Sequence, residues 1–250
     1  MDTVADNPVR GATPEGASDR ESAARAIREM FTAIAPRYDL LNHLLSANVD
    51  KLWWRRTAKT FNRILSTPGA QVLDLCCGTG DMAFALRRRG ERAEITGADF
   101  SHAMLVLAVK KTSAERRVKW IEADALQLPF ADESFDLITS AFGFRNLADY
   151  DAGLREICRV LRPGGEFGIL EFSEPKGVLA KFYDVYFKSV LPKIGRIISG
   201  NQGAYCYLPA SVKRFPQPDE MLARMRDAGF RDVSWTPYTF GIAGLYRGAR

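Results

Sequence analysis

Asp74, Asp99 and Asp124 each stand in or just behind a short apolar run, and after the first the chain reads Asp74-x-x-x-Gly78-Thr79-Gly80-Asp81. An apolar strand that breaks into a Gly-x-Gly turn and reopens as a helix lets a nucleotide-like ligand approach backbone N–H groups that a side chain would block. Asp99, ending the next apolar run, offers two oxygens to a pair of ribose hydroxyls. Asp124 and Ala125 follow a third run and precede Leu128-Pro129-Phe130, which sets an acceptor and a backbone N–H beside an apolar wall suited to adenine. A fourth run ends at Thr139-Ser140, opening onto the same crevice.

Each element has a plainer reading. With Ala83 in place the turn satisfies the relaxed Gly-x-Gly-x-x-Ala fingerprint of dinucleotide-binding folds, and a strand-to-helix turn can need glycine for its own geometry. Asp99 can cap the helix that Ser101 begins, and Asp124 can be an ordinary loop acid. Charge favours S-adenosylmethionine over a dinucleotide. Asp74 lies where the ligand's ammonium would sit and where a pyrophosphate would be repelled, and Asp81 adds to that field. Asp74, Gly78 and Gly80 are therefore expected at the cofactor. Cys76 and Cys77 are adjacent, without the gap that lets two thiolates chelate, and only His43 and His102 can assist, so no metal is expected.

These residues must be carried on alternating strands and helices. After Pro68-Gly69, short apolar runs alternate with longer amphipathic segments, the arrangement that gives a parallel sheet flanked by helices. The strands expected are Gln71–Cys76, Glu94–Ala98, Val118–Ala123, Phe135–Ser140 and Glu166–Phe172. The last follows a helix stop and tight turn at Leu161–Gly165. Pro218–Ala228 reads as a helix ended by Gly229, and Asp232–Thr236 with Thr239–Tyr246 as a terminal hairpin. Upstream, Ile27, Met30, Phe31, Ile34, Tyr38, Leu41 and Leu45 recur at helical spacing around Pro36, which reads as two short helices. A third, with Trp53, Trp54 and Phe61, runs from Asp50 to Leu65. Residues 1–19 hold almost nothing apolar to bury and read as a disordered tail, 20–66 as a helical lid and 67–250 as one α/β domain.

With 250 residues, 46% hydrophobic and 26% charged, the composition is that of a globular domain, and a net charge of +5 leaves nucleic acid or an anionic membrane face open as partners. No Lys/Arg stripe with interleaved aromatics supports RNA binding, so no nucleic-acid partner is expected. No apolar stretch reaches the length of a membrane span and no secretion signal is visible, so a cytoplasmic location follows.

Further motifs carry a family likeness. Phe31-x-x-Ile34-Ala35-x-x-Tyr38-Asp39-x-x-Asn42, Trp53, the Asp74–Asp81 turn, Phe142-Gly143-Phe144-Arg145-Asn146, Leu170-Glu171-Phe172-Ser173, Tyr205-x-Tyr207-Leu208 and Phe240-Gly241-Ile242 span most of the chain. In these the sequence resembles the class I methyltransferases, and more narrowly the family that C-methylates polyprenyl quinols in menaquinone and ubiquinone synthesis. The family's usual Leu is Phe144 here, and Asp124 stands where members often have Asn. The resemblance implies a Rossmann-like, doubly wound, mostly parallel seven-stranded sheet with an antiparallel C-terminal hairpin, an N-terminal helical lid, and a helical insertion at 174–215 over the substrate. It implies cofactor contacts at Thr79, Asp99, Asp124, Ala125 and Ser140, and substrate contacts at Asn42, His43, Asn146 and Tyr205. S-adenosylmethionine would leave as S-adenosylhomocysteine.

Methyl transfer from a sulfonium to a quinol ring carbon requires alignment, exclusion of water and a group that accepts or stabilises charge as the hydroxyl proton leaves. Arg145 is the first candidate, since a cation lowers the quinol's pKa and stabilises a phenolate-like ring. An ion pair with an acid such as Asp149 is its structural alternative. Tyr38, Asp39 and His43 can close over the quinol and supply an acceptor, or serve only as helix residues. The stretch 176–196, with Lys181, Lys188 and Lys193 among aromatics, is basic and amphipathic, which suits transient contact with the inner membrane face. Rival readings are methylation of a small soluble metabolite and an NAD-dependent oxidoreductase, and a homodimer is left open.

Overall fold

The computed structural model describes residues 11–14, 16–37, 48–113, 117–175 and 202–250. Short apolar runs, buried almost throughout in the central strands, give β1 (Gln71–Leu75), β2 (Glu94–Asp99), β3 (Lys119–Glu122), β4 (Phe135–Ala141), β5 (Leu161–Phe172), β6 (Arg231–Tyr238) and β7 (Ala243–Ala249). They form one seven-stranded sheet in the order β3-β2-β1-β4-β5-β7-β6. β1 to β5 pair in parallel, while β7 runs antiparallel between β5 and β6. A parallel sheet flanked by helices is what the alternation predicts, and the doubly wound order with an antiparallel terminal pair is what the family resemblance implies. Its reversal point lies between β1 and β4, where a ligand crevice opens beyond the carboxyl ends of the strands.

Helices cover both faces. Leu73 and Leu75 point into one core with Leu154, Ile157, Met221 and Met225, carried on α6 (Tyr150–Val160) and α8 (Pro218–Asp227). Val72 and Ile95 point into the other with Trp54, Ala58, Ile64, Met82 and Leu86. These come from α2 (Val49–Thr60), α3 (Asn62–Leu65) and α4 (Asp81–Arg87). α5 (His102–Lys111) connects β2 to β3, and α1 (Arg20–Ile34) begins at Asp19, whose carboxylate accepts from the Ser22 N–H at 2.8 Å. α7 (Gln202–Arg214) precedes α8.

Most strand ends fall within one or two residues of the sequence reading, and three boundaries differ in kind. The helix expected over 50–65 is broken at Phe61 into α2 and α3, because Phe61 leaves helical geometry (φ −95°, ψ 18°) and its ring fits against Gly168. The turn expected at 161–165 lies inside β5: Leu161 already pairs with Phe135, and the chain loops through Gly164 at φ 78° before Glu166 pairs with Leu137. The second hairpin strand starts at Ala243 rather than Thr239, since Thr239–Gly241 forms a 3₁₀ turn. Ahead of α1, Ala12 is buried and its N–H donates to the Leu147 carbonyl at 2.7 Å. The expected second N-terminal helix and the amphipathic stretch 176–196 lie outside the described residues. Among the described residues, no helix is long and apolar enough to cross a membrane.

Candidate functional site

Residues 76–81 leave β1 through three left-handed backbone positions, Cys76 (φ 54°), Gly78 (φ 54°) and Gly80 (φ 90°), before α4 begins at Asp81. Asp99 ties this turn down. One of its oxygens accepts from the Gly78 N–H and the other from the Ser101 N–H, both at 2.8 Å. Gly80 serves a second purpose that the motif did not disclose: a Cβ there would stand 2.5 Å from the Trp120 ring, and one at Gly97 only 2.3 Å from it. The indole of Trp120 fills the space under the turn, with its N–H donating to Thr112 at 2.9 Å. Close approach of a ligand to bare backbone is therefore argued for Gly78.

Asp74 sits beneath the turn, fully buried between Gly97 of β2 and Thr139 of β4. The Thr139 hydroxyl donates to its Oδ1 at 2.9 Å, while Oδ2 has no hydrogen-bond partner. Burial pushes the Asp74 carboxyl up to about 7, with the charges of Asp99 and Asp81 adding to the rise. Burial likewise raises Asp99 to about 6. A buried carboxyl whose ionisation burial and two neighbouring acids hinder makes a receptor for a cation and a poor receptor for a pyrophosphate. Cys76 and Cys77 add no further anion, because burial and the neighbouring acids hold both thiols protonated.

The other expected cofactor residues line the same strand ends. Thr79 is buried and accepts from Lys111 at 2.8 Å, and Lys111 also lies 3.4 Å from Asp81. Asp124 is exposed at the end of β3, where its Oδ1 accepts from Leu126 N–H, and Ala125 is buried beside it. Ser140, at the end of β4, is buried with its Oγ unpartnered. The orphaned Oδ2 of Asp74, the orphaned Oγ of Ser140 and the left-handed glycine turn fit a nucleoside that carries positive charge. S-adenosylmethionine has that chemistry.

On the other side of the crevice stands Arg145, in the 3₁₀ turn Phe144–Asn146 after β4. It is buried, and its partner is Glu171 of β5, not Asp149. Its Nη1 lies 2.9 Å from Glu171 Oε1, its backbone N–H donates to Oε2 at 3.2 Å, and its Nε donates to Ser211 at 3.3 Å. Nη1 also donates to the Phe142 carbonyl. Asp149 instead caps α6 by accepting from Ala152 N–H and pairs with Arg20. The Arg145 guanidinium lies 5.5 Å from the Phe172 ring centroid, and Phe172, Phe142 and Trp53 form an aromatic cluster with centroids 4.5 to 6.1 Å apart. Asn146 accepts from the Tyr207 hydroxyl at 3.1 Å.

Tyr38, Asp39, Asn42 and His43 lie outside the described residues, as does the side chain of Tyr205. Glu171, Tyr207 and Ser211 were not singled out for roles from the sequence. The one signal was a lone acid inside the apolar run Ile169-Leu170-Glu171-Phe172, which in a buried strand demands a cationic partner.

The ubiE/COQ5 methyltransferase family matches residues 18–250. A demethylmenaquinone methyltransferase of Deinococcus radiodurans is 48% identical over 92% of this chain and 95% of its own length. One of Thermus thermophilus is 50% identical over 88% of this chain and 100% of its own. Among solved structures, a SAM-dependent methyltransferase of Thermotoga maritima, described as a possible histamine N-methyltransferase, superposes with a TM-score of 0.61 at 21% identity. That match covers 88% of this chain and 98% of the other, and it is a likeness of fold.

Proposed function

The chain belongs to the ubiE/COQ5 methyltransferase family, and from that premise we propose how its residues methylate a ring carbon of a polyprenyl demethylmenaquinol. It is a SAM-dependent methyltransferase of the demethylmenaquinone methyltransferase type. Naphthoquinol is favoured over benzoquinol because relatives at 48% and 50% identity carry the demethylmenaquinone name.

S-adenosylmethionine, when bound, supplies an electrophilic methyl group on a sulfonium. Gly78, Thr79, Asp99, Asp124, Ala125 and Ser140 hold the nucleoside, and the buried Asp74 carboxylate faces its cationic end. Arg145 stabilises the phenolate-like ring as the quinol hydroxyl loses its proton, which raises electron density on the attacking carbon. With the cofactor bound, the ring carbon would take the methyl group as sulfur kept the bonding pair, the ring hydrogen would then leave as a proton, and the phenolate oxygen would regain the proton it had lost. Tyr38, Asp39 or His43 supplies the acceptor, and Asn42, Asn146 and Tyr205 position the ring. Trp53, Phe142 and Phe172 exclude water beside it.

The observation that carries this reading is that buried acids, Asp74 and Asp99, lie under the glycine turn after β1 while a buried cation, Arg145, held by Glu171, stands at the β4 and β5 ends of the same sheet. The substrate's prenyl units, worth on the order of 4 kcal/mol each towards staying in a bilayer, support peripheral membrane contact. Quinones extracted from a host deleted for this protein test the reading. Accumulation of a naphthoquinone lacking one ring methyl is expected, and an unchanged quinone pool would overturn it.

A further inference from the structure

α2 is amphipathic in an unusual way. Its inward residues Trp53, Trp54, Thr57 and Ala58 are buried, while Lys51, Leu52, Arg55, Arg56, Lys59 and Thr60 are exposed. That outer face carries four cations and no acid, because the helix's one carboxylate, Asp50, is itself buried. Several arginines elsewhere on the surface, by contrast, are neutralised, Arg63 by Glu166, Arg162 by Asp136 and Arg224 by Asp151. None of Lys51, Arg55, Arg56 and Lys59 has a carboxylate within ion-pair distance among the described residues. Arg56 rests instead on the Tyr238 ring, 4.1 Å from its centroid.

A second apolar tip stands beside this face. The Trp53 indole N–H donates to Thr239 at 2.8 Å, which brings α2 against the 3₁₀ turn at 239–241. In that turn Phe240 adopts a left-handed backbone (φ 57°, ψ 25°) that a bulky side chain disfavours, and its ring is 80% exposed. Leu52, one residue from Trp53, is 60% exposed. Glu174, exposed in the segment that Ser173 ties to Gly241 and Ile242, takes one charge from the rim. Directly inward lie Trp53, then Phe172 at 6.1 Å, then Arg145 at 5.5 Å from Phe172.

We propose that this face, Leu52 and Phe240 rimmed by Lys51, Arg55, Arg56 and Lys59, docks on an anionic lipid bilayer and holds the aromatic approach to Arg145 at headgroup depth. Unpaired cations match anionic headgroups, the two apolar tips enter the acyl boundary, and the aromatic cluster behind them continues towards the reacting ring. RNA would match the cations and could stack a base on the Phe240 ring, but the exposed aliphatic Leu52 beside it offers a nucleotide nothing and suits an acyl boundary. The location of the mouth rests on the quinol reading above; the lipid contact itself does not.

The test is sedimentation of the full chain with mixed phosphatidylglycerol and phosphatidylcholine vesicles, and with phosphatidylcholine alone, across a salt series. Each basic residue near an anionic leaflet is worth about fivefold in partitioning, so Lys51→Gln with Arg55→Gln and Lys59→Gln should weaken binding by about a hundredfold. Phe240→Gly should weaken it by about tenfold while leaving the melting temperature unchanged or higher, since glycine relieves the left-handed backbone. Stabilisation by S-adenosylhomocysteine should persist in every variant. Its absence from the parent protein would sink the methyltransferase reading and leave the vesicle result to judge the surface. Parent protein that ignores anionic vesicles, or a triple variant that binds like the parent, overturns the proposal. So does retention on a polyanion resin that the triple variant loses while Phe240→Gly changes nothing with vesicles. Self-association abolished by the same substitutions would assign the face to a second copy and likewise overturn it.

Discussion

Replacing Glu171 by glutamine separates what the Arg145–Glu171 pair does for stability from what it does for the reaction. Both side chains are almost wholly buried, and the carboxylate accepts from the Arg145 guanidinium, from the Arg145 backbone N–H and from the Phe172 N–H. Glutamine keeps one acceptor oxygen and turns the other into a donor facing donors, so the guanidinium stays buried without its counter-charge. Breaking a buried pair from one side costs about 3–5 kcal/mol. For a domain of this size that is a fall of about 6–20 °C in melting temperature. Loss of the anchor also lets the guanidinium shift against the ring, and a displacement of about an ångström costs roughly a hundredfold in rate. S-adenosylhomocysteine affinity, which the proposed binding mode assigns to the turn and Asp99, should stay within about twofold. Adding Arg145→Met to Glu171→Gln should recover at least about half of the lost stability, because the uncompensated charge is gone, while methyl transfer falls below that of Glu171→Gln alone. Denaturant melts and single-turnover methylation measure the two quantities. A Glu171→Gln protein within about 1 kcal/mol of the parent and with its full rate would refute the reasoning.

Burial raises Asp74 to about 7 and Asp99 to about 6, so the free folded protein holds protons that the unfolded chain releases. Its stability should therefore fall as pH rises from about 4 to about 7. The ligand's ammonium, which S-adenosylmethionine and S-adenosylhomocysteine share, selects the ionised acids, so S-adenosylhomocysteine should bind more tightly as pH rises from about 5 to about 8, with proton release visible by calorimetry in two buffers. Flat affinity would contradict this. Asp74→Asn should raise the melting temperature of the free protein at about pH 8 and weaken S-adenosylhomocysteine binding by about tenfold or more, a trade visible in one thermal-shift titration. Gly97→Ala sets a methyl 2.3 Å from the Trp120 ring and should cost about 1–3 kcal/mol in denaturant melts. Combined with Trp120→Leu the losses should be less than additive.

The sheet was legible because its signal is local: short apolar runs, glycine punctuation and amphipathic spacers each survive in a short window. Asp74, Gly78, Asp99 and Ser140 were legible for the same reason, since each sits at a strand end that the pattern itself marks. What local pattern does not hold is long-range partnership. Glu171 reads as an oddity in an apolar strand until Arg145, 26 residues away in the chain, is brought beside it by the pairing of β4 and β5. Asp149, close in sequence to Arg145, looked like the partner, but the backbone spends it on capping α6. Trp120 escaped notice because the reason for Gly80 and Gly97 is a ring contributed by a third strand. The break at Phe61 escaped for a similar reason, since only tertiary packing against Gly168 overrides a helical pattern that continues through it.

The central claim is that buried acids under a glycine turn hold a methyl-bearing sulfonium while Arg145 readies a quinol carbon opposite. Purified protein given chemically reduced demethylmenaquinol and S-adenosylmethionine with a labelled methyl group tests it directly. The account expects menaquinol with the label on a ring carbon, and loss of that product in Arg145→Met with cofactor binding intact. A label on oxygen, or label transferred only to water-soluble acceptors without a prenyl tail, would contradict it.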